Sequence, residues 1–239
     1  MKAWIGILIA ALVGATGEKP SSPEPPLTAD ALMGRVQAYY DRTSSLTADF
    51  SQEALRARTG RKNRRSGKVR VLRPNRIRWD YRKPDPVHYV TDGTILWVYQ
   101  PQDALVYRMG LEQGGLDEAV RFLAGGIRLK DKFKGTLVGA PEGIDRKDLK
   151  FLELNPKEEQ GGVRKLVIGV DPVSGVVKLS ILSDPDGNEV RTTYKNLKET
   201  TVKKSVFLFE PPPGVRVEDL SGKGVGANSR LSAPGPRSD

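Results

Sequence analysis

The amino-acid sequence predicts a mainly β protein, in which antiparallel strands form a strongly curved sheet or unclosed barrel with two or more helices over its concave side. The first observation is the strict alternation of apolar and polar residues from Ile77 to Tyr81, the period of a half-buried strand. The second is a Thr-Asp-Gly-Thr turn at 91–94 that leads into another aromatic strand at 95–99. Further short strand patterns follow, separated by turns such as Asp-Pro-Asp-Gly at 184–187, and indicate about ten or eleven strands in all.

The two aromatic strands have two possible roles. Trp79 and Tyr81 share one face of the first strand, and Trp97 and Tyr99 share one face of the second. Side chains of this size either fill an ordinary core or form the wall of an apolar cavity that receives a ligand. Periodicity alone favours the core, and the two interpretations imply different functions.

Shorter signals place the other elements. Thr28 is a good N-cap for a helix over 29–41, whose apolar residues follow helical spacing. An alternating strand follows at 46–52, and a second helix is expected at 116–124, where a glycine pair ends it. The last strand is expected at 206–209.

The chain divides into four segments. Residues 1–17 have the pattern of a signal peptide: a positive residue, an apolar stretch too short to span a bilayer, and small residues for cleavage near Ala15–Gly17. Residues 18–27 form a Pro/Ser-rich spacer, and 28–220 form a single folded domain. Residues 221–239 are a Gly/Ser/Pro-rich tail that we expect to be disordered. The signal peptide predicts export from the cytoplasm.

The composition argues against several classes of protein. The 239-residue chain has no cysteine and one histidine, His88, which leaves no thiol nucleophile and little for metal binding or general-base work. It has neither a Ser/His/Asp set nor a Gly-rich phosphate loop, so we expect no enzymatic activity, no cofactor and no metal. The net charge of +10 suits nucleic acid, an anionic membrane or an acidic protein, and export argues against nucleic acid.

Much of the positive charge lies between residues 56 and 70, where eight residues are Lys or Arg. With Gly60 and Gly67 inside, this segment is predicted to be a solvated hairpin tip rather than a packed element. It could contact anionic lipid head groups or acidic patches on a partner, or be an ordinary solvated charge run. The candidate contact residues are Arg56, Arg58, Arg61, Lys62, Arg64 and Arg65.

Several motifs follow one another in an order that is similar to a known family. They are Phe-Ser-Gln at 50–52 before the basic hairpin, Arg-Pro-Asn at 73–75, Thr-Asp-Gly at 91–93, Leu-Trp at 96–97, and Phe-Leu-Phe-Glu-Pro-Pro-Pro-Gly-Val at 207–215. On these motifs, the chain from about residue 28 to 220 resembles the LolA family, the periplasmic outer-membrane lipoprotein carriers. The block from 73 to 101 and the closing motif are the specific parts of the resemblance.

The resemblance implies an unclosed antiparallel barrel with a helical lid over a cavity for acyl chains. At the matching positions the cavity is lined by Ile77, Trp79, Tyr81, Phe207 and Phe209, with either Leu96 and Val98 or Trp97 and Tyr99 pointing inward. Arg73 matches an arginine that latches the lid, here expected at 111–126, in the closed state. A guanidinium suits such a latch because it can bridge several carbonyl groups at once.

The resemblance also implies partners. A carrier of this family works as a monomer in the periplasm, receives acylated lipoproteins from an ATP-driven transporter of the inner membrane, and passes them to an acceptor at the outer membrane. The acceptor shares the fold but needs a lipid-modified cysteine, which this sequence lacks. The alternative is a carrier or sensor of another amphiphile, such as a glycolipid or phospholipid, on the same scaffold.

Overall fold

A computed structural model describes residues 26–111, 122, 125, 128–158 and 163–221. The predicted signal peptide, most of the spacer, most of the helix expected at 116–124 and nearly all of the tail lie outside these residues. The described residues form a single sheet with one long helix on one of its faces.

The sheet has twelve strands within the described residues. They are β1 Ser45–Leu55, β2 Lys62–Leu72, β3 Arg76–Lys83, β4 Val87–Thr91, β5 Ile95–Gln100, β6 Leu105–Gly110, β7 Phe133–Val138, β8 Lys150–Pro156, β9 Lys165–Val170, β10 Val177–Ser183, β11 Glu189–Glu199 and β12 Arg216–Asp219. Their spatial order is β12-β6-β5-β4-β3-β2-β1-β11-β10-β9-β8-β7, and every neighbouring pair except β12 and β6 is antiparallel. The edge strands β7 and β12 do not pair with each other, so the barrel is unclosed and the predicted fold class is confirmed.

The sheet must be strongly curved. A single short helix shares a hydrophobic core with strands from across the whole width of the sheet. Twelve flat strands would span about 50 Å, whereas helix α1 (Ala29–Arg42), with 14 residues, is only about 20 Å long. Yet buried side chains of β5, β3 and β9 belong to one hydrophobic cluster with those of α1. We call the face that carries this cluster the inner face of the sheet and the opposite face the outer face.

Helix α1 forms where the sequence predicts it. The Thr28 hydroxyl accepts a hydrogen bond from the backbone of the first turn at 3.1 Å. The Tyr40 hydroxyl accepts another from the backbone N–H of Val177 in β10 at 3.3 Å. The side chain of Met33 packs directly on Gly135 of β7, where any Cβ would collide with its sulfur. The helix is therefore attached to the half of the sheet that contains β7 to β10.

The prediction of a long solvated tip at 56–70 is wrong. Residues 56–61 form the turn, and β2 begins at Lys62 and pairs with β1 along its whole length. The beginning of this strand is hidden in the sequence because its first inner-face positions are not large apolar residues. These positions are Asn63, Arg65 and Gly67.

The prediction of a last strand at 206–209 is also wrong. Lys204–Phe207 forms a 3₁₀ turn instead, and the chain crosses the outer face of β3 there. The last described strand is β12, which lies parallel to β6 and was not predicted. The other short helical segments are a 3₁₀ turn at Pro101–Asp103 and a single α-helical turn, α2, at Leu129–Lys132.

Gly67 provides a test of the packing between β2 and β3. A Cβ at this position would clash with the backbone carbonyl of Asp80 and come within 2.8 Å of the Phe50 ring. Because neither neighbour has room to move, we expect Gly67→Ala to lower the free energy of unfolding, measured in urea, by about 2 kcal/mol. Gly34→Ala is the control: nothing lies within 4 Å of its added Cβ, so α1 should gain about 0.5–1 kcal/mol. A Gly67→Ala protein as stable as the wild type would contradict this packing.

Candidate functional site

An aromatic cluster lies at the centre of the inner face. The ring centroid of Phe50 in β1 is 4.5 Å from that of Trp79 and 5.0 Å from that of Tyr81, both in β3. Tyr89 of β4 lies 6.0 Å from Tyr81, and Tyr194 of β11 lies 6.2 Å from Trp79. Because the sheet brings four strands together here, five rings that are far apart in the sequence form one continuous surface.

Five of the seven predicted cavity residues lie on the inner face. They are Ile77, Trp79, Tyr81, Leu96 and Val98, each at most 7% exposed. The choice that the sequence left open on β5 is decided by the register, in which Val98 stands opposite Tyr89. Trp97 and Tyr99 consequently face outward. The contact of the five inner residues with acyl chains stays a prediction.

The other two predicted cavity residues, Phe207 and Phe209, lie on the outer face. The prediction that they line the cavity is therefore wrong. The Phe209 ring packs against the outward-facing Trp97, with centroids 5.7 Å apart. Phe207 is 1% exposed but is not part of the inner cluster. The carbonyl of Val206 accepts a hydrogen bond from Arg78 on the outer face at 3.2 Å. Because the chain crosses the outer face of β3 at this turn, neither aromatic residue can reach the interior.

Polar groups interrupt the apolar inner face. The Tyr81 hydroxyl donates a hydrogen bond to the side-chain carbonyl of Gln52 at 3.0 Å, and the Gln52 amide donates to the Thr192 hydroxyl at 3.2 Å. Burial raises the pKa of Tyr81 and of Tyr89, so both hydroxyls stay protonated and can donate. The indole N–H of Trp79 is buried and has no hydrogen-bond partner within the described part of the chain. A ligand with an acceptor oxygen could satisfy this indole N–H.

One of the predicted surface contact residues, Arg65, is buried on the inner face. It is 4% exposed, and its guanidinium carbon lies 5.1 Å from the centroid of the Tyr81 ring. The preceding residue, Arg64, is exposed and pairs with Glu53 at 2.8 Å, since successive residues of a strand point to opposite faces. The remaining predicted contact residues are exposed, as expected: Arg56, Arg58, Arg61 and Lys62.

Arg73, the predicted latch, lies just beyond the end of β2. Its guanidinium donates to the Asp41 carboxylate near the end of α1 at 3.2 Å and lies directly against Gly125. Gly125 and Phe122 belong to the predicted lid segment, and the Phe122 ring packs on Tyr40 of α1 with centroids 5.1 Å apart. Arg73 therefore contacts both the helix and the lid segment. Its role as a latch stays a prediction.

Comparison with known protein families adds a second line of evidence. The family model described as outer membrane lipoprotein carrier protein LolA matches residues 41–210, more than half of the chain. The chain belongs to the LolA family.

Curated LolA-family relatives match over most of their length. The outer-membrane lipoprotein carrier protein of Methylococcus capsulatus is 33% identical over 187 residues, which cover 77% of this chain and 85% of the relative. That of Chromobacterium violaceum is 26% identical and covers 91% of this chain and 98% of the relative. A solved structure of an uncharacterized conserved protein from Thermus thermophilus has a TM-score of 0.50 at 14% identity, covering 80% of this chain and 98% of that one, and shows a likeness of fold alone.

In the part of this LolA-family chain that the structure describes, no helix is long and apolar enough to cross a membrane. Within the same residues, no three His, Asp or Glu side chains are grouped so that they could hold a metal ion.

The outer face of β3 carries a charge network around Asp80. Its carboxylate accepts hydrogen bonds from Arg70 at 2.7 Å and Arg78 at 3.1 Å, and lies 2.7 Å from Nδ1 of His88. Burial opposes ionisation of Asp80, but the His88 hydrogen bond and the charge of Arg78 outweigh it and lower the pKa of this carboxyl. Because Arg78 also donates to the Val206 carbonyl, the network joins β2, β3, β4 and the 3₁₀ turn at Lys204–Phe207.

We expect Asp80 to make the fold sensitive to acid. Its pKa is lower in the folded than in the unfolded state, so the ionised carboxylate stabilises the fold above the unfolded pKa of about 4. That stabilisation is lost as the pH falls through the lower, folded pKa. Asp80→Asn should remove this component and cost about 2 kcal/mol at neutral pH, because the side chain is only 13% exposed and its cationic neighbours lose their acceptor.

Urea unfolding at pH 7 and at several values below about pH 5 measures both effects. Asp145→Asn is the control, because Asp145 is exposed in a loop. If Asp80→Asn lost stability with acid as steeply as the wild type, Asp80 would not be the source of the sensitivity.

Proposed function

We propose that this protein carries acylated lipoproteins across the periplasm with their acyl chains held on the inner face. In this proposal, an ATP-driven transporter of the inner membrane supplies the lipoprotein and an acceptor at the outer membrane receives it. The supporting observation is the aromatic cluster around Trp79, which shares one core with α1 and with Phe122 of the lid segment. The curated relatives of the LolA family are named outer-membrane lipoprotein carrier proteins.

The length of the acyl chains determines the free energy that a carrier must supply to keep them out of water. Three chains of about 15 methylenes each, at about 0.8 kcal/mol per methylene, would cost on the order of 35 kcal/mol to expose to water. A diffusing carrier must therefore replace most of the bilayer's apolar contact. Loading draws its free energy from the transporter, and transfer to an acceptor that binds more tightly needs no further input.

Loading also requires the lid segment to move. The Phe122 ring rests edge-on against Tyr40, and Gly125 lies against Arg73. The first contact is apolar and can be exchanged for contact with an acyl chain at little cost. The second involves a charged group that also binds Asp41, so its rupture separates the lid segment from both α1 and the sheet. Arg73 is thus the group whose contacts distinguish the closed from the open carrier.

The hairpin between β1 and β2 is the proposed contact with a membrane or with acidic partner proteins. Arg56, Arg58 and Arg61 are exposed in its turn, while Lys62 and Arg64 pair with Glu53. Near an anionic membrane surface each cation contributes about 1 kcal/mol to binding. Lys62 and Arg64 would first have to leave Glu53, whereas within the described residues the three turn residues have no such ion pair to break.

Trp79→Glu should abolish lipoprotein loading while leaving the protein soluble, because a carboxylate among the rings of the inner face repels acyl chains. Co-elution with a purified lipoprotein measures loading, and circular dichroism establishes that the variant is folded. Trp97→Glu makes the same change on the outer face and should load normally. If folded Trp79→Glu still delivered lipoprotein to acceptor-bearing liposomes, the inner face would not be the binding site.

Arg73→Leu should load lipoprotein but release it slowly. Loss of its bonds destabilises the closed, empty state, so the equilibrium moves toward the open, loaded state, and we expect release to an acceptor to slow about tenfold. The rate of transfer to acceptor-bearing liposomes measures it. Arg76→Leu is the control, since its described hydrogen bond goes to the nearby Pro74 carbonyl. Wild-type release by Arg73→Leu would remove the latch role and leave the binding surface unaffected.

A further inference from the structure

The strand β7 lies at one edge of the sheet, beside the gap in the unclosed barrel. Edge strands are usually protected against further pairing by charges, prolines, bulges or short length. The other edge strand, β12, has four residues, three of them charged. By contrast, β7 has six residues with one charge, Lys134, and no proline, and it pairs with β8 without a register shift. This edge is therefore open to a further strand.

The hydrogen-bond pattern shows which backbone groups of β7 face β8. The N–H of Lys157 donates to the carbonyl of Lys132 at 2.9 Å, so these two residues form a hydrogen-bonded pair just before the strand. Bonded pairs recur at every second residue of an antiparallel ladder. Lys134, Thr136 and Val138 therefore direct their backbone groups to β8.

The intervening residues, Phe133, Gly135 and Leu137, direct their backbone groups to the free edge. Pro156, which stands opposite Phe133, has no N–H and so agrees with this pattern. The N–H of Phe133 bonds to the Leu129 carbonyl in α2. Within the described residues, the N–H groups of Gly135 and Leu137 have no backbone partner. The edge thus has two donors and, with the carbonyl of Phe133, three acceptors in the arrangement that an added strand requires.

The free edge adjoins the proposed binding face. The side chains of Phe133 and Leu137 pack in the same hydrophobic cluster as Trp79. Met33 of α1 packs on Gly135, so the helix lies over the inner side of this strand. In a strand added here, every second side chain would face the inner side, because side chains alternate across a strand. An acyl chain on such a residue would enter the interior next to β7.

Charges restrict what can occupy this edge. Three exposed cations stand against one exposed acid just before and within β7: Arg128, Lys130 and Lys134 against Asp131. A second copy of this chain, with a net charge of +10, would bring the same cations together. The tail at 222–239 has three cations and one acid, and the spacer at 18–27 has four prolines, which lack the N–H that pairing needs. A separate polypeptide with acidic or neutral side chains fits better than any of these.

We propose that the free edge of β7 binds, as an added strand, the polypeptide segment that follows the acylated residue of the cargo. The acyl chains and this segment are covalently joined, so the segment must leave the carrier close to the acyl chains, and β7 is an open edge of the face that holds them. Backbone pairing depends little on side chains, so cargoes of different sequence can use the same edge. This inference rests on the proposed function, because an acyl chain must first reach the inner face.

Acylated peptides test the inference. The probe is a short Ser/Thr/Asp peptide with a dodecanoyl chain on the side chain of its first residue, titrated calorimetrically below its aggregation limit. Two isomers carry backbone N-methyl groups on either the odd or the even later residues, which removes the donors of one edge of the peptide and keeps its side chains. Only one isomer should bind more weakly than the unmethylated peptide, by about tenfold. Equal losses, or no loss in either isomer, overturn the inference.

A pair of variants tests the edge from the side of the protein. Leu137→Pro removes a free-edge donor and keeps the bonds to β8, because the N–H of Leu137 points away from β8. Leu137→Ala is the matched control, since it also loses the leucine side chain but keeps the N–H. Leu137→Pro should bind the acylated peptide about tenfold more weakly than Leu137→Ala, and both should bind dodecanol, which has no peptide, equally. Equal binding of the acylated peptide by the two variants contradicts the inference.

Amide hydrogen exchange of the wild-type full chain identifies the occupant and needs no variant. In the free protein, the amides of Gly135 and Leu137 should exchange faster than those of Thr136 and Val138, and the unmethylated acylated peptide should slow them about tenfold. If both amides are already protected in the free monomer, this chain covers its own edge. If they become protected only as the protein dimerises, a second copy is the occupant. Either result overturns the inference.

The outcomes separate the inference from the proposed function. Tight binding of the acylated peptide that N-methylation does not change overturns the inference alone and leaves lipoprotein carriage intact. Failure of both the acylated peptide and dodecanol to bind would overturn the proposed function as well, because even dodecanol should enter an apolar binding face.

Discussion

Trp79 and Asp80 are neighbours in the chain, and the backbone of β3 sends their side chains to opposite faces of the sheet. Trp79 lies at the centre of the inner aromatic cluster, while Asp80 gathers Arg70, Arg78 and His88 on the outer face. The outer network links three strands in one register, and that register decides which side chains reach the interior. The apolar inner face therefore depends in part on a charged cluster on the opposite face of the sheet.

Alternation of apolar and polar residues predicts a strand and its buried face only where one face is apolar throughout and the other polar throughout. Ile77, Trp79 and Tyr81 met that condition, and so their strand and its inner face could be predicted. The beginning of β2 did not, because its first inner positions are Asn63, Arg65 and Gly67 and most of its outer positions are cationic. When both faces of a strand carry polar or charged residues, its sequence resembles that of a solvated charged segment.

The sequence also could not assign a face to aromatic residues outside a clear strand. Phe207 is buried although it lies on the outer face. Its hydrophobicity therefore does not indicate on which face of the sheet it lies. Its position depends on the path of the chain after β11, which the Arg78 contact to Val206 helps to hold. The resemblance to the LolA family supplied the fold and the location of Arg73, but no motif pointed to a buried Arg65.

The positions of the tryptophans have a practical consequence. Of the three in the chain, Trp4 lies in the predicted signal peptide, Trp79 lies on the inner face and Trp97 on the outer face, within 5.7 Å of the Arg108 guanidinium. Indole fluorescence shifts to longer wavelength when the ring gains a polar partner, and Trp79 has an N–H able to gain one. Its emission should therefore change with occupancy of the inner face while that of Trp97 stays constant. If the inner face binds acyl chains as proposed, Trp79 is an intrinsic fluorescent reporter of its occupancy.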